Sequence, residues 1–174
     1  APVEGDSICN GALDNAAGVA SLLLIAHMAH EAGCKGRRSI VFLACTAEEK
    51  GLLGSRSFAA KPPRGLPQMV ANLNSDMFLP LIPLKRMIVF GETESDLGPL
   101  IQRVATRHAV EIQPDPEPQK TRFIRSDQYS FTREGVPSVA FKCGYELGRH
   151  EEKVMTEWLH ERYHAPGDDL DQPV

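Results

Sequence analysis

The sequence has little of what nucleic-acid-binding or membrane-spanning proteins need. Its net charge is −4, only 6% of its residues are aromatic, and no cluster of Lys and Arg alternates with aromatic residues, which argues against a nucleic-acid partner. The longest apolar run, residues 19–29, is interrupted by Ser21 and His27 and is shorter than the roughly 20 residues that span a bilayer, so no membrane partner is expected. The four cysteines have no CxxC spacing, so the sequence predicts neither a cysteine zinc site nor a redox motif.

What remains is the composition of an ordinary globular domain. With 174 residues, of which 42% are hydrophobic and 24% charged, the chain is long enough to bury a core. We therefore expect residues 1–174 to form a single domain. The chain opens at Ala1 without a methionine, in a stretch typical of a polar loop, so we expect this domain to be incomplete at its N-terminus.

Hydrophobic periodicity predicts helices that alternate with strands. The predicted helices are residues 15–31 (ending at Gly33), 50–59, 96–108 with Ser95 as the cap, 126–134 and 151–160. The predicted buried strands are residues 39–45, 69–74, 87–90 and 137–141, and residues 113–118 are predicted to be a loop. The alternation predicts an α/β fold, a three-layer α/β/α sandwich around a central, mostly parallel mixed sheet. Active sites of such sheets lie in loops at the carboxyl ends of the strands.

Two segments place acidic residues just before a predicted helix. Asp14 lies in a turn flanked by glycines, where the simplest alternative is that it only caps the helix. Glu48 and Glu49 follow the predicted strand 39–45, and two acids that open a helix are also electrostatically favoured there. Because neighbouring glutamates point in different directions, however, one can bind a metal while the other faces a substrate water.

Two further segments offer metal ligands at other points of the chain. Asp76 ends an apolar strand, where it could bind a metal or merely begin a turn. His164 could be a ligand or an ordinary surface or core histidine. Asp168 or Asp169 could accept the second ring proton of a metal-bound His164.

Taken together and in this order, the segments resemble metallopeptidase family twenty-eight, which includes bacterial leucyl aminopeptidases, glutamate carboxypeptidases and glutaminyl cyclases. The resemblance covers residues 11–171 and rests on GALDNAAGVASLL, RRSIVFLACTAEEKGLLGS, NLNSDM, SDQYSF, GVPSVAF and YHAPGDDLD. It implies a zinc-exopeptidase fold that lacks its first strands here, and two zinc ions in the complete protein. The implied metal ligands are Asp14 (shared by both zincs), Glu49, Asp76 and His164.

The resemblance also implies roles for three other residues. Glu48 matches the general base of the family, which takes a proton from the metal-activated water. Tyr163 matches a phenol that donates a hydrogen bond to the tetrahedral intermediate in some members. Asp127 matches an aspartate that lines the site, with a structural or substrate-amine role.

The sequence departs from the family pattern in two places. No HxD motif, which would supply a further zinc ligand, occurs before Asp14, and His27 and His30 lie on the helix that follows it, where we expect surface or packing roles. We therefore expect one zinc or none in this chain and a weak or absent second metal. The SDH block of the family reads SDQ, with Gln128 in place of the histidine, which puts the surroundings of Asp127 in doubt.

The resemblance implies a zinc-dependent aminopeptidase that acts on the free amino end of a peptide. Two alternatives stay open: an acyltransferase of the glutaminyl cyclase type, and a non-catalytic fragment or binding module of the same fold. Without the first strands of the family, the sheet could expose an edge through which copies of the chain pair into a homo-oligomer. Since many bacterial relatives are exported, we expect a periplasmic or secreted location.

Overall fold

A computed structural model describes residues 5, 7–33, 36–78 and 81–173. The chain divides into two compact units. The first is drawn from Ala1–Leu43, Ser75–Leu84 and Tyr145–Val174, and the second from Ala44–Asn74 and Lys85–Gly144. The prediction of a single domain stays a prediction.

The described residues form helices and strands in the mixed α/β pattern that the sequence predicts. The α-helices are α1 (Ala17–Glu31), α2 (Leu53–Ala60), α3 (Leu97–Arg107), α4 (Gln128–Arg133) and α5 (His150–Glu161). The strands are β1 (Asn72–Ser75), β2 (Arg86–Phe90), β3 (Glu111–Gln113) and β4 (Ser138–Cys143). The α/β class is therefore confirmed, and all five predicted helices are present, with ends within about three residues of the predicted ones.

The first unit is built around a small apolar cluster. Leu13, Leu81 and Trp158 are buried in it, and side chains from α5 pack against it. Helix α1 ends where predicted, because Gly33 adopts the left-handed conformation (φ 59°) that glycine tolerates best. His27 and His30 are exposed on α1, which agrees with the predicted surface role.

The second unit contains a mixed four-stranded sheet in the order β1-β4-β2-β3. Strand β2 runs parallel to β3, with Met87 opposite Ile112, and antiparallel to β4, with Val89 opposite Phe141. The central strands carry the core of this unit, since Ile88 and Val139 are almost fully buried. Strand β3 was not predicted, and it ends at Gln113, the first residue of the segment predicted to be a loop. It is short and polar, and pairing with β2 supplies its hydrogen bonds.

Two predicted strands differ from the structure. Residues 39–45 are not a strand, and Ile40 is 65% exposed, so the prediction of a strand covered on both faces was wrong. The physical reason is the lack of a partner, because among the described residues no strand pairs with this segment. Strand β1 starts later than predicted and lies at an edge of the sheet with Leu73 62% exposed, so it is not a buried strand.

One helical stretch, Ala12–Glu31, is long and apolar enough to cross a membrane by length and composition alone. The core helix of a soluble protein or a signal sequence would meet the same criterion. Only 11% of its most apolar window is buried, and Leu23, Leu24 and Met28 are among its exposed side chains.

Candidate metal centre

Asp14 and His164 meet in the first unit. The Nε2 atom of His164 lies 3.1 Å from Oδ2 of Asp14, although the two residues are separated by most of the chain. The Asp14 side chain is only 12% exposed, whereas that of His164 is 47% exposed. The pair therefore consists of a sheltered carboxylate and an imidazole open to solvent.

Asp168 fixes the loop that carries Asp14. Its two carboxylate oxygens accept hydrogen bonds from the backbone N–H groups of Leu13 (2.7 Å) and Asp14 (2.9 Å), and its carbonyl oxygen accepts one from Ala12 (3.1 Å). Asp168 is 2% exposed, so these charge-assisted bonds are shielded from water. The sequence offered Asp168 or Asp169 as a possible acceptor for the second ring proton of a metal-bound His164, and the structure shows a different use of both side chains. Asp168 holds the backbone of the opposite ligand, and the side chain of Asp169 accepts from the Leu170 N–H.

The side chain of Asn15, not that of Asp14, accepts a backbone hydrogen bond at the start of α1. The Asn15 Oδ1 atom accepts hydrogen bonds from the N–H groups of Gly18 and Met77, both at 3.0 Å, and its Nδ2 donates to the Ser75 carbonyl at 3.4 Å. The peptide bond between Asp14 and Asn15 is cis. Asn15 therefore links the turn of Asp14 to the chain on both sides of Asp76.

Gly18 makes this close approach possible. A Cβ atom at Gly18 would lie 2.6 Å from the Ser75 carbonyl oxygen and would also collide with the Asn15 side chain.

We expect Gly18→Ala to lower the free energy of unfolding by about 1–3 kcal/mol, because crowding a packed site forces the backbone to shift. Urea denaturation measures the change. Gly167→Ala is the matched control, because its Cβ would meet its nearest atom at an ordinary 3.5 Å. Equal stability of the Gly18 variant and the parent chain would contradict the packing described for this turn.

Tyr163 supports the imidazole of His164 directly. The two rings are stacked with centroids 3.8 Å apart, and the Tyr163 ring also lies 6.2 Å from that of Trp158. Trp158 donates through Nε1 to Gln172 (2.7 Å), and Gln172 donates to Asp168 (2.9 Å). Trp158 thus lies behind both the histidine segment and the loop of Asp14, which ties the position of each to the buried cluster.

Glu48 and Glu49 lie in the second unit, in the 3-10 turn Glu48–Lys50 that precedes α2. The turn is closed by hydrogen bonds from the Leu52 N–H to the Glu48 carbonyl (2.8 Å) and from the Gly54 N–H to the Thr46 carbonyl (3.0 Å). Gly54 has to be a glycine, because a Cβ there would lie 2.6 Å from the Thr46 carbonyl oxygen. The GLLG sequence after the two glutamates therefore shapes the turn that presents them.

Asp127 also belongs to the second unit, directly before α4. Burial raises the pKa of the Cys45 thiol, and the nearby carboxylate of Asp127 raises it further. Together they bring the pKa to about 11. Cys45 is only half-buried, although it belongs to the segment 39–45 that was predicted to be a buried strand.

The segment around Asp127 is held by Asn74. The Nδ2 atom of Asn74 donates to the Ser126 hydroxyl (3.1 Å) and to Oε1 of Gln128 (2.9 Å). Gln128 is 1% exposed and also donates to the Phe123 carbonyl at 2.5 Å. The glutamine at the position of the histidine of the family is therefore a buried, hydrogen-bonded support of this segment.

Three of the six non-glycine residues that have a left-handed backbone, among those the structure describes, lie at or next to predicted site residues. Ala47 (φ 55°) precedes Glu48, Met77 (φ 53°) follows Asp76, and His164 itself has φ 55°. Such conformations are uncommon for residues with a Cβ, and they concentrate at functional sites. This signal appears only in the structure, since none of these residues is one that the sequence marks as strained.

The structure divides the seven predicted site residues between the two units. Asp14, Asp76, Tyr163 and His164 lie in the first, where Asp14 and Tyr163 contact His164 and Asn15 ties the segment of Asp76 to that of Asp14. Glu48, Glu49 and Asp127 lie in the second. Sequence reasoning missed the roles of Asn15 and Asp168, although the spacing of Asn15 and Gly18 is a recognisable helix-start signal.

Comparisons with known proteins give the same fold. The chain is similar to an aminopeptidase from Aneurinibacillus sp. strain AM-1, with a TM-score of 0.67 and 24% identity over 98% of this chain and 36% of that one. It is also similar to BSAP, a zinc aminopeptidase from Bacillus subtilis, with a TM-score of 0.67 and 23% identity over 93% of this chain and 37% of that one. This chain thus spans little more than a third of either neighbour, and the likeness confirms the predicted fold.

A comparison with curated proteins gave no match. The family model of Peptidase family M28 matches residues 2–174, nearly the whole sequence. Together with the fold, this match supports a metallopeptidase. The chain belongs to peptidase family M28.

Proposed function

We propose that this chain provides the zinc site and the general base of an aminopeptidase. The observation that carries the proposal is the approach of the His164 imidazole to the sheltered Asp14 carboxylate at 3.1 Å, on a loop that Asp168 fixes by its backbone. The family match and the two aminopeptidase neighbours, one of them a zinc enzyme, support the choice of chemistry.

The donor atoms of the Asp14–His164 pair fit zinc. Two ligands of a tetrahedral zinc, each roughly 2.0–2.2 Å from the metal, lie about 3.3–3.6 Å apart, which is close to the observed separation. We propose Glu49 as the third protein ligand, as the family pattern implies, which would leave the fourth position open for water or substrate. A second zinc would share Asp14 and take Asp76; since no HxD motif precedes Asp14, we expect only one strongly bound zinc.

Zinc, when bound, polarises a carbonyl group and makes a coordinated water more acidic. The residues of the chain supply the rest of the proposed chemistry. The Glu48 carboxylate accepts the proton of the attacking water and delivers it to the leaving amine. The Tyr163 hydroxyl donates a hydrogen bond to the oxyanion that forms during attack, and Asp127 holds the positively charged amino end of the substrate.

Short peptides with blocked and free ends test the proposal. The full chain is supplied with zinc and incubated with three forms of one leucyl peptide: free, N-acetylated and C-terminally amidated. Mass spectrometry then identifies the products. We expect removal of the N-terminal residue from the free and amidated peptides, no reaction of the acetylated peptide, and loss of activity with a zinc chelator.

Other products would point to other functions. A peptide beginning with glutamine that loses ammonia instead of a residue would support the glutaminyl cyclase alternative. Zinc-loaded chain that leaves every peptide intact would support a non-catalytic module. Either result would refute the aminopeptidase.

Two broader proposals accompany this one. We propose that copies of the chain pair through the edge strand β1, where Leu73 is 62% exposed, and a monomer in analytical ultracentrifugation would refute it. We also propose a periplasmic or secreted location, which the resemblance alone supports and which fractionation of the source cells tests.

A further inference from the structure

A cavity of about 390 Å³ lies within the second unit, beside the proposed general base. Glu48 and Glu49 form part of its wall, and Arg56, Arg125 and Arg133 form another part together with Tyr129. The cavity thus brings three guanidinium groups to the two glutamates on which the proposed chemistry depends.

The helices that carry two of these arginines are firmly joined. Ser55 of α2 and Ser130 of α4 are both buried, and their hydroxyl oxygens lie 2.8 Å apart. The rings of Phe58 and Phe131 pack against each other with centroids 6.2 Å apart. Arg56 and Arg133 therefore extend from a rigid base.

The three arginines are available for a ligand. All three are exposed, and within the described part of the chain no carboxylate forms an ion pair with any of them. Arg56 makes one long hydrogen bond, 3.5 Å, to the Gly51 carbonyl. Guanidinium groups match carboxylates through paired, charge-assisted hydrogen bonds, so three of them around one cavity favour a carboxylate.

We propose that this cavity binds a carboxylate group of the peptide substrate and makes the chain selective for peptides that carry one near the scissile bond. The inference rests on the proposed function, in which Glu49 binds the metal and Glu48 accepts the proton of the attacking water. The charged groups of the cavity that are left to bind substrate are then the three arginine side chains. The carboxylate can come from an acidic side chain or from the C-terminus of a short peptide.

Two substrate pairs separate these sources. Leu-Glu-amide and Leu-Gln-amide differ only in the charge of a side chain, and Leu-Ala and Leu-Ala-amide differ only in that of the C-terminus. For at least one pair, we expect kcat/KM to be about tenfold or more higher for the peptide with the carboxylate. Because the arginines are exposed, this ratio should shrink at about 1 M salt, where the Debye length is about 3 Å.

Substitution of the arginines identifies the cavity as the source of the preference. In the triple variant Arg56→Gln, Arg125→Gln, Arg133→Gln, the ratio within the preferred pair should fall to about one. The single variants should lower it in part, and they serve if circular dichroism shows that the triple variant is unfolded. Arg103→Gln, an exposed arginine on α3, is the control and should keep the ratio of the parent chain.

Calorimetric binding of the same peptides to the zinc-supplied Glu48→Gln variant, which should bind but not cleave them, separates this proposal from the proposed function. Chain that cleaves both members of each pair equally overturns the carboxylate pocket and leaves the aminopeptidase intact. Chain that cleaves nothing but binds the carboxylate peptides more tightly, in a way that the arginine variants lose, supports the pocket and overturns the aminopeptidase. Equal binding within both pairs overturns the pocket.

Discussion

Glu48→Gln should reduce kcat for an aminoacyl substrate by about 10²–10⁴-fold, the usual contribution of a positioned general base. Glutamine has the shape of glutamate, so the turn Glu48–Lys50 and its hydrogen bonds should persist. The amide cannot accept the proton of the attacking water, however. The loss should therefore fall on kcat, while the zinc content measured by mass spectrometry stays that of the parent chain.

The matched control is Glu31→Gln, the same change at an exposed residue that ends α1. It should alter neither kcat nor zinc content. Full activity of the Glu48 variant would remove Glu48 from the chemistry, and loss of zinc together with activity would make it a ligand instead of a base.

Asp14→Asn should abolish stoichiometric zinc binding. Asp14 contributes the carboxylate that lies 3.1 Å from the His164 imidazole, and it is the one proposed ligand common to both metal positions. The Asp168 carboxylate binds the backbone N–H of residue 14, not its side chain, so the loop should keep its anchor in the variant. The variant should therefore keep the fold of the loop but lose one zinc ligand, which should weaken zinc binding by at least about 100-fold. Zinc stabilises the parent chain by mass action, and the resulting rise in melting temperature should be absent in the variant.

Isothermal titration with zinc measures this effect. Asp96→Asn changes an exposed aspartate beside α3 and should leave zinc affinity unchanged. Unaltered zinc affinity in the Asp14 variant would mean that the Asp14–His164 contact is an ordinary ion pair.

The sequence predicts the helices and strands whose apolar pattern is visible within one short segment. Strands β2 and β4 were predicted from their apolar runs, and in the structure they pair with each other. Helix α1 was predicted because its apolar periodicity and its glycine stop lie within one segment. Residues 39–45 have an equally apolar run, but a strand also needs a neighbour to pair with its backbone, and hydrophobicity does not show whether one is present. Strand β3 is the opposite case: its polar sequence did not predict a strand, but it forms one because it pairs with β2.

The candidate site shows the same limit. Which residues offer ligands could be predicted from motifs, because carboxylates and imidazoles are few and ordered along the chain. The residues that hold these ligands in position could not be predicted from the sequence. Asn15 acts on residues about sixty positions away and Asp168 on a loop more than 150 positions away, and local sequence carries no sign of either contact.

The most direct test of the account is an anomalous-scattering map recorded at the zinc absorption edge from crystals of the zinc-loaded chain. The account predicts one strong peak about 2.0–2.2 Å from both Oδ2 of Asp14 and Nε2 of His164. A map with no peak at this pair, or with its peak at other residues, would contradict the proposed metal centre and the function built on it.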